Sequence, residues 1–243
     1  MADRSDPAGS GPADLRPTAG SKRRAFASEP ALDDLQQAAI AAGVTLTTDR
    51  RAQLDAYLDT LLVWRVRLSL TATATRSGII CAHISDSLWP APFVHDGFEV
   101  ADLGSGAGFP GIPLAIACPR ARFTLVESRR KRANFLREVV RRVRLANVEV
   151  AEKRAEALAE SRSGAFDMTV SRAVWPLKTF LKVSRRFLRA GGYAIAMRSL
   201  GAGDAAHDVY PGFSLEDVVT YRTLARAAHV LQIFRKRDPD GVA

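Results

Sequence analysis

The stretch FEVADLGSGAGFPGIPLAIAC, residues 98–118, constrains the fold more than any other. A strand-length apolar run ends on Asp102, breaks into Gly104, Gly106 and Gly108, and resumes as an apolar segment of helical character. A glycine-rich strand-to-helix turn lets backbone come within contact distance of a ligand that side chains would hold off. The alternative is a plain tight turn with no ligand.

The texture on either side supports a layered α/β fold. After Pro92, strands are expected at 98–103, 122–127, 147–153, 166–171 and 192–198, with helices at 112–118, 129–145 and 176–189. That alternation marks a parallel sheet covered by helices on both faces. The segments LEDVVTYRTL and AHVLQIFRKR add two strands, expected as an antiparallel hairpin, which makes seven in all. From Pro30 to Pro90 the pattern is helical instead. ALDDLQQAAIAAG closes at Gly43, a helix C-cap. Thr48 can cap a second helix whose apolar face includes Leu54, Tyr57, Leu58, Leu61, Leu62 and Val66. A third helix is expected over Gly78–Trp89. The expected organisation is therefore a disordered tail over 1–29, a helical cap over 30–92 and a doubly wound domain over 93–243.

Electrostatics narrow the ligand. Gly106, Gly108 and Gly111 spell GxGxxG, but the register is better read as D-x-G-x-G-x-G starting at Asp102. A carboxylate there would repel a pyrophosphate and suits a ligand with an ammonium or hydroxyl groups. S-adenosylmethionine, which has an ammonium, a sulfonium and no phosphate, fits. Glu127, at the end of the next strand, can bind two ribose hydroxyls, a device that NAD sites share. Asp102 and the basic charge count against an NAD-linked oxidoreductase.

The formal net charge is +9 with a pI near 10.1. Ten cations face only Glu127 and Glu138 between Arg120 and Arg144, so the excess is concentrated there. On the helix over 129–145, Arg130, Arg137, Arg141 and Arg144 recur at helical spacing and should form an exposed ridge for phosphates. The competing reading is an ordinary solvated surface. Cys81 and Cys118 lie in apolar surroundings without a CxxC, so neither a metal site nor a disulfide framework is expected. There is no secretory h-region and no stretch of about 20 apolar residues, which points to a cytoplasmic protein with no membrane partner.

GSGAGFPGIPLAIACPRARFTLVESRRKRANFLRE resembles the glucose-inhibited division protein B family, GidB or RsmG. VWRVRLSLT, AHISDSL, KRAEAL and VSRAV follow the family's segments in the same order, over about residues 50–200. The resemblance implies a class I S-adenosylmethionine-dependent methyltransferase acting on N7 of a guanine in the 530 loop of 16S ribosomal RNA. It implies cofactor contacts at Gly104, Phe109, Ala155, Glu156 and Arg172, beside Asp102, Gly106, Gly108 and Glu127. It also raises a substrate-side role for Arg198 and for His83, which with Asp86 could equally brace the cap against the sheet. The sequence departs from the family at Ser69, where asparagine is usual, at Ala82, where arginine is frequent, and at Arg198, where lysine is usual. Guanine N7 has a free lone pair, so no general base and no catalytic residue are expected. The strand ending in TVSRAV lacks the Asn/Asp-Pro-Pro-Tyr of amino-group methyltransferases. The chain is expected to act as a monomer on the small ribosomal subunit. A non-catalytic RNA-binding assembly factor on the same fold is the alternative.

Overall fold

The computed structural model describes residues 33–172, 174–200 and 210–238. The expected tail over 1–29 lies outside the described residues.

Seven strands form one sheet in the order β3-β2-β1-β4-β5-β7-β6. β1 (Glu99–Leu103), β2 (Arg122–Val126), β3 (Val148–Ala151), β4 (Phe166–Arg172) and β5 (Leu188–Ser199) run parallel. β6 (Phe213–Arg222) and β7 (Ala228–Lys236) form the antiparallel hairpin that the sequence suggests, and β7 pairs with β5. The chain starts at β1, winds outward to β3, and crosses back to β4. The sheet therefore changes direction between β1 and β4, and ligands in such sheets bind beyond the strand C-termini at that point.

Strand parity separates the two faces. Val100 packs with α5 (Gly111–Ala117), α6 (Arg130–Val143) and the N-terminal helices, whereas Ala101 and Leu103 join the layer of α7 (Ala155–Ser161) and α8 (Leu177–Phe187). Asp102 shares the parity of Val100, so its carboxylate points under α5.

The N-terminal helices do not carry a separate core. Leu35 of α1 (Asp34–Ala41), Leu54 and Leu58 of α2 (Thr48–Leu68), and Ile84 share one buried apolar cluster with Val100 and Phe135. Gly43 follows α1 with φ +71, as a C-cap position requires. The N-cap of α2 is Thr47 rather than Thr48, its hydroxyl accepting the Arg50 N–H. Val66 is 72% exposed, because Trp64 takes the inward side of that last stretch, near Phe135. The expected third helix is interrupted. α3 (Arg76–Ile79) passes into a π turn (Ile80–Ile84) and then α4 (Ser85–Ser87). Such turns recur at functional sites, and this one contains His83.

Candidate active site

At the C-terminal edge of the sheet, the glycine turn hangs from the end of β2. The N–H groups of Gly104 and Ser105 both donate to the Val126 carbonyl, at 2.9 and 3.1 Å. Gly104 has φ +81, and a Cβ there would meet the Val174 side chain at 2.8 Å. Gly106 has φ +55, and a Cβ there would meet nothing closer than 3.8 Å. Both conformations disfavour any side chain. The back of the turn is held from α2, where the Tyr57 hydroxyl donates to the Ala107 carbonyl at 2.8 Å.

A cavity of about 380 Å³ opens beside this turn. Gly104, Glu127, Ala155 and Glu156 line it, together with Val174 and Trp175. Glu127 is buried, and its carboxylate accepts N–H bonds from Gly106 (3.0 Å) and Arg129 (2.7 Å). A carboxylate has about four lone-pair directions, so two remain for hydroxyl groups of a ligand. α7 begins at Ala155 without a side-chain cap, which leaves its first N–H groups at the cavity wall. α7 is not among the helices expected from the sequence.

Asp102 does not line the cavity. It is fully buried behind the turn, one oxygen accepting the Gly111 N–H at 3.1 Å and the other without a partner among the described residues. Burial pushes its carboxyl up to about 7, against the lowering effect of the nearby Ser105 hydroxyl, which itself donates to the Asp102 backbone carbonyl, and of the Gly111 N–H. Its geometry is that of a strut between β1 and α5. Gly111 has to be glycine for this strut, since a Cβ would lie 2.5 Å from Asp102 Oδ2.

Phe109, Arg172 and His83 gather in a second cluster on the cap side of the sheet, as does Gly108, whose neighbours are Ile112, Leu136 and Tyr57. The Arg172 guanidinium lies 4.8 Å over the Phe109 ring. Its Nη1 donates to His83 Nδ1 at 3.3 Å and to Asp86 Oδ2 at 3.2 Å. A guanidinium only donates, so His83 Nδ1 accepts and Nε2 carries the proton toward Thr71 (2.9 Å) or Thr73 (3.2 Å). Burial, then the Arg172 charge, lower the His83 imidazole to about 4. His83 is thus neutral with both nitrogens engaged, and it does not pair with Asp86 directly, because Arg172 stands between them. The other Asp86 oxygen accepts the Tyr221 hydroxyl at 2.6 Å and His229 Nδ1 at 2.9 Å. Tyr221 and His229 were missed in the sequence because they come from the C-terminal hairpin.

The arginine ridge is less free than its spacing suggests. Arg130, Arg137 and Arg141 on α6, and Arg144 at its C-cap, are all exposed. However, Arg137 pairs with Glu152 at 2.7 Å, and Arg141 and Arg142 share Glu138 at 2.9 and 2.7 Å. Arg120 and Arg122 pair with Asp96 and Glu99. This corrects the expectation of ten nearly unopposed cations. Three of the carboxylates, Asp96, Glu99 and Glu152, lie outside the counted stretch and reach it only in the fold. Arg198 is half-buried at the end of β5, opposite Val230 of β7, away from the cavity lining.

The sheet order and the edge cavity define a class I methyltransferase fold, and solved structures agree. The chain superimposes on a mutant of MtNAS in complex with S-adenosylmethionine with a TM-score of 0.51 at 15% identity, covering 78% of this chain and 76% of that one. It superimposes on M. jannaschii TYW2 in complex with AdoMet with a TM-score of 0.50 at 17% identity, covering 63% and 76%. At such identities the likeness establishes the fold. Sequence goes further: the GidB family profile, described as rRNA small subunit methyltransferase G, matches residues 50–234, and the chain belongs to that family. A protein called Ribosomal RNA small subunit methyltransferase G from Stenotrophomonas maltophilia (strain K279a) is 43% identical over 162 residues, 67% of this chain and 75% of the relative. One of the same name from Xanthomonas axonopodis pv. citri (strain 306) is 39% identical over 197 residues, covering 73% and 92%.

Proposed function

We propose that this protein transfers the methyl group of S-adenosylmethionine to N7 of a guanine in the 530 loop of 16S ribosomal RNA. The observation that carries this reading is the family match across residues 50–234, which spans the glycine turn, the edge cavity and the C-terminal hairpin. The cavity residues fit the cofactor. Glu127 keeps two acceptor directions for ribose hydroxyls, Ala155 and Glu156 at the start of α7 would receive the adenine, and Gly104 leaves the wall open beside Val174. A volume of about 380 Å³ lies within the range of small-ligand sites.

When bound, the cofactor supplies an electrophilic methyl on a sulfonium. The protein's share is to hold that methyl in line with N7 and keep water out, which suffices when the acceptor has its lone pair ready. His83 is neutral and fully engaged, so it is not poised to take a proton, and N7 attack requires none. Phe109 and Arg172 belong to this reading as the wall between the glycine turn and the incoming base. Asp102 belongs to it as the strut that fixes the turn. The partner is the small ribosomal subunit, the expected location the cytoplasm and the expected state a monomer; no described helix is long and apolar enough to cross a membrane.

The test is transfer of labelled methyl to small subunits from cells lacking the modification, mapped by cleavage at 7-methylguanine. A single labelled guanine in the 530 loop is expected. Cofactor binding without any transfer to these particles would overturn the proposed substrate and point to another RNA target, whereas failure to bind the cofactor at all would favour the non-catalytic assembly factor.

A further inference from the structure

Four cations line the same cavity: Arg129 and Arg132 at the start of α6, and Lys153 and Arg154 before α7. Among the described residues none of the four has a carboxylate within ion-pair distance, in contrast to Arg137, Arg141 and Arg142 farther along α6. The two carboxylates at the cavity, Glu127 and Glu156, offset only part of this charge, and among the described residues neither forms an ion pair with any of the four. The proposed cofactor does not explain this concentration either. Its adenosine half has no phosphate, and its amino-acid half carries an ammonium and a sulfonium against one carboxylate. Four cations around a ligand of net positive charge raise its energy. They suit a second, anionic ligand that approaches over the adenosine end.

We propose that Arg129, Arg132, Lys153 and Arg154 form the main phosphate-gripping surface of the protein, at the mouth of the cofactor cavity rather than along the outer ridge of α6. The inference rests on the RNA substrate reading above. It moves the polyanion contact from a helix face where Arg137, Arg141 and Arg142 already have carboxylate partners, leaving Arg130 and Arg144 as its unpaired cations among the described residues, to a cavity mouth where all four charges are unpaired among those residues. A strand of RNA held there runs across the cavity edge, so that cofactor and substrate close the site together. Phosphate contacts of this kind fix register and orientation without reading sequence.

The experiment compares RNA binding as a function of salt for the full chain and two variants. One carries Arg129→Gln, Arg132→Gln, Lys153→Gln and Arg154→Gln, and the other carries Arg130→Gln, Arg137→Gln, Arg141→Gln and Arg144→Gln. The probe is a transcript of the small-subunit rRNA segment containing the 530 loop, and S-adenosylmethionine affinity is measured in parallel by calorimetry. The slope of log K against log salt falls by about 0.7–0.9 for each phosphate contact removed, so the mouth variant should lose roughly 3. The outer variant should lose less than one, and cofactor affinity in the mouth variant should hold or improve. An unchanged slope in the mouth variant, or a larger loss in the outer one, overturns the proposal while leaving the methyltransferase reading standing. A collapse of cofactor affinity with RNA binding intact also overturns it, since the cations would then serve the cofactor. If the unaltered chain shows no salt-dependent RNA binding, the substrate reading fails and this inference fails with it.

Discussion

At the scale of single residues, the glycine turn separates two effects that sequence merges. Gly104→Ala adds a Cβ in a left-handed conformation and drives it into Val174 at 2.8 Å, whereas Gly106→Ala is strained only by its φ of +55, with Arg132 no nearer than 3.8 Å. We expect Gly106→Ala to cost about 1 kcal/mol of stability and keep S-adenosylmethionine binding. Gly104→Ala should cost more and lower cofactor affinity at least tenfold, read by thermal melts with and without ligand. Equal effects at both positions would show that the Val174 wall does not shape the site. The departure at Ser69 has a backbone account of the same kind. Ser69 caps α2 with φ 48 and ψ 49, a left-handed position that asparagine tolerates better than serine. Ser69→Asn should therefore raise stability by roughly 0.5 kcal/mol, about 1–2 °C in a melt for a chain of this size. A lower melting temperature would mean that the family's asparagine serves contact rather than conformation.

At the scale of elements, Asp86 ties three parts of the molecule together. Its carboxylate, 1% exposed, accepts from Arg172 on β4, Tyr221 on β6 and His229 on β7, while its own backbone belongs to α4. Burial raises its pKa, but the bonds from His229, Arg172 and Tyr221 outweigh it and hold the carboxyl below the usual range. Removing one partner of a buried ion pair leaves the other charge uncompensated, so Asp86→Ala should cost about 3–5 kcal/mol in urea unfolding. Tyr221→Phe, which removes one donor and keeps the Trp89 stacking at 4.4 Å, should cost about 1 kcal/mol. A loss below 1 kcal/mol for Asp86→Ala would show that the hairpin is not anchored there. The elements themselves were largely legible, because strand-length apolar runs and helix-length stripes carry their own periodicity. Their anchoring was not, since the Asp86–Tyr221 bond joins residues 135 apart. The Asp102 and Glu127 positions could be found from spacing alone, yet only the alternation of side chains along β1 shows that Asp102 turns under α5.

For the whole molecule, charge was legible as a count and not as a map. The sequence contains the excess between Arg120 and Arg144, but Asp96, Glu99 and Glu152 reach that stretch only once β1, β2 and β3 lie side by side. The same distinction governs how stability responds to pH. His83 falls to about 4 in the fold from an ordinary 6.5, so the unfolded chain binds the proton more tightly between those values. Its contribution is full above pH 6.5 and is lost as pH falls through that window. Asp102 is displaced the other way, up to about 7 from an ordinary 3.8, so the folded chain binds its proton more tightly. That contribution is full below pH 3.8 and is lost as pH rises toward 7. The two windows overlap almost entirely and their slopes have opposite signs. Stability of the unaltered chain should accordingly vary little between about pH 4 and 7. His83→Gln can still accept from Arg172, and it should leave a curve that falls as pH rises. Asp102→Asn can still accept from Gly111, and its curve should rise over the same range. Urea melts at half-unit steps of pH on the three proteins would check this, and parallel curves for all three would mean that neither buried group titrates where its surroundings place it.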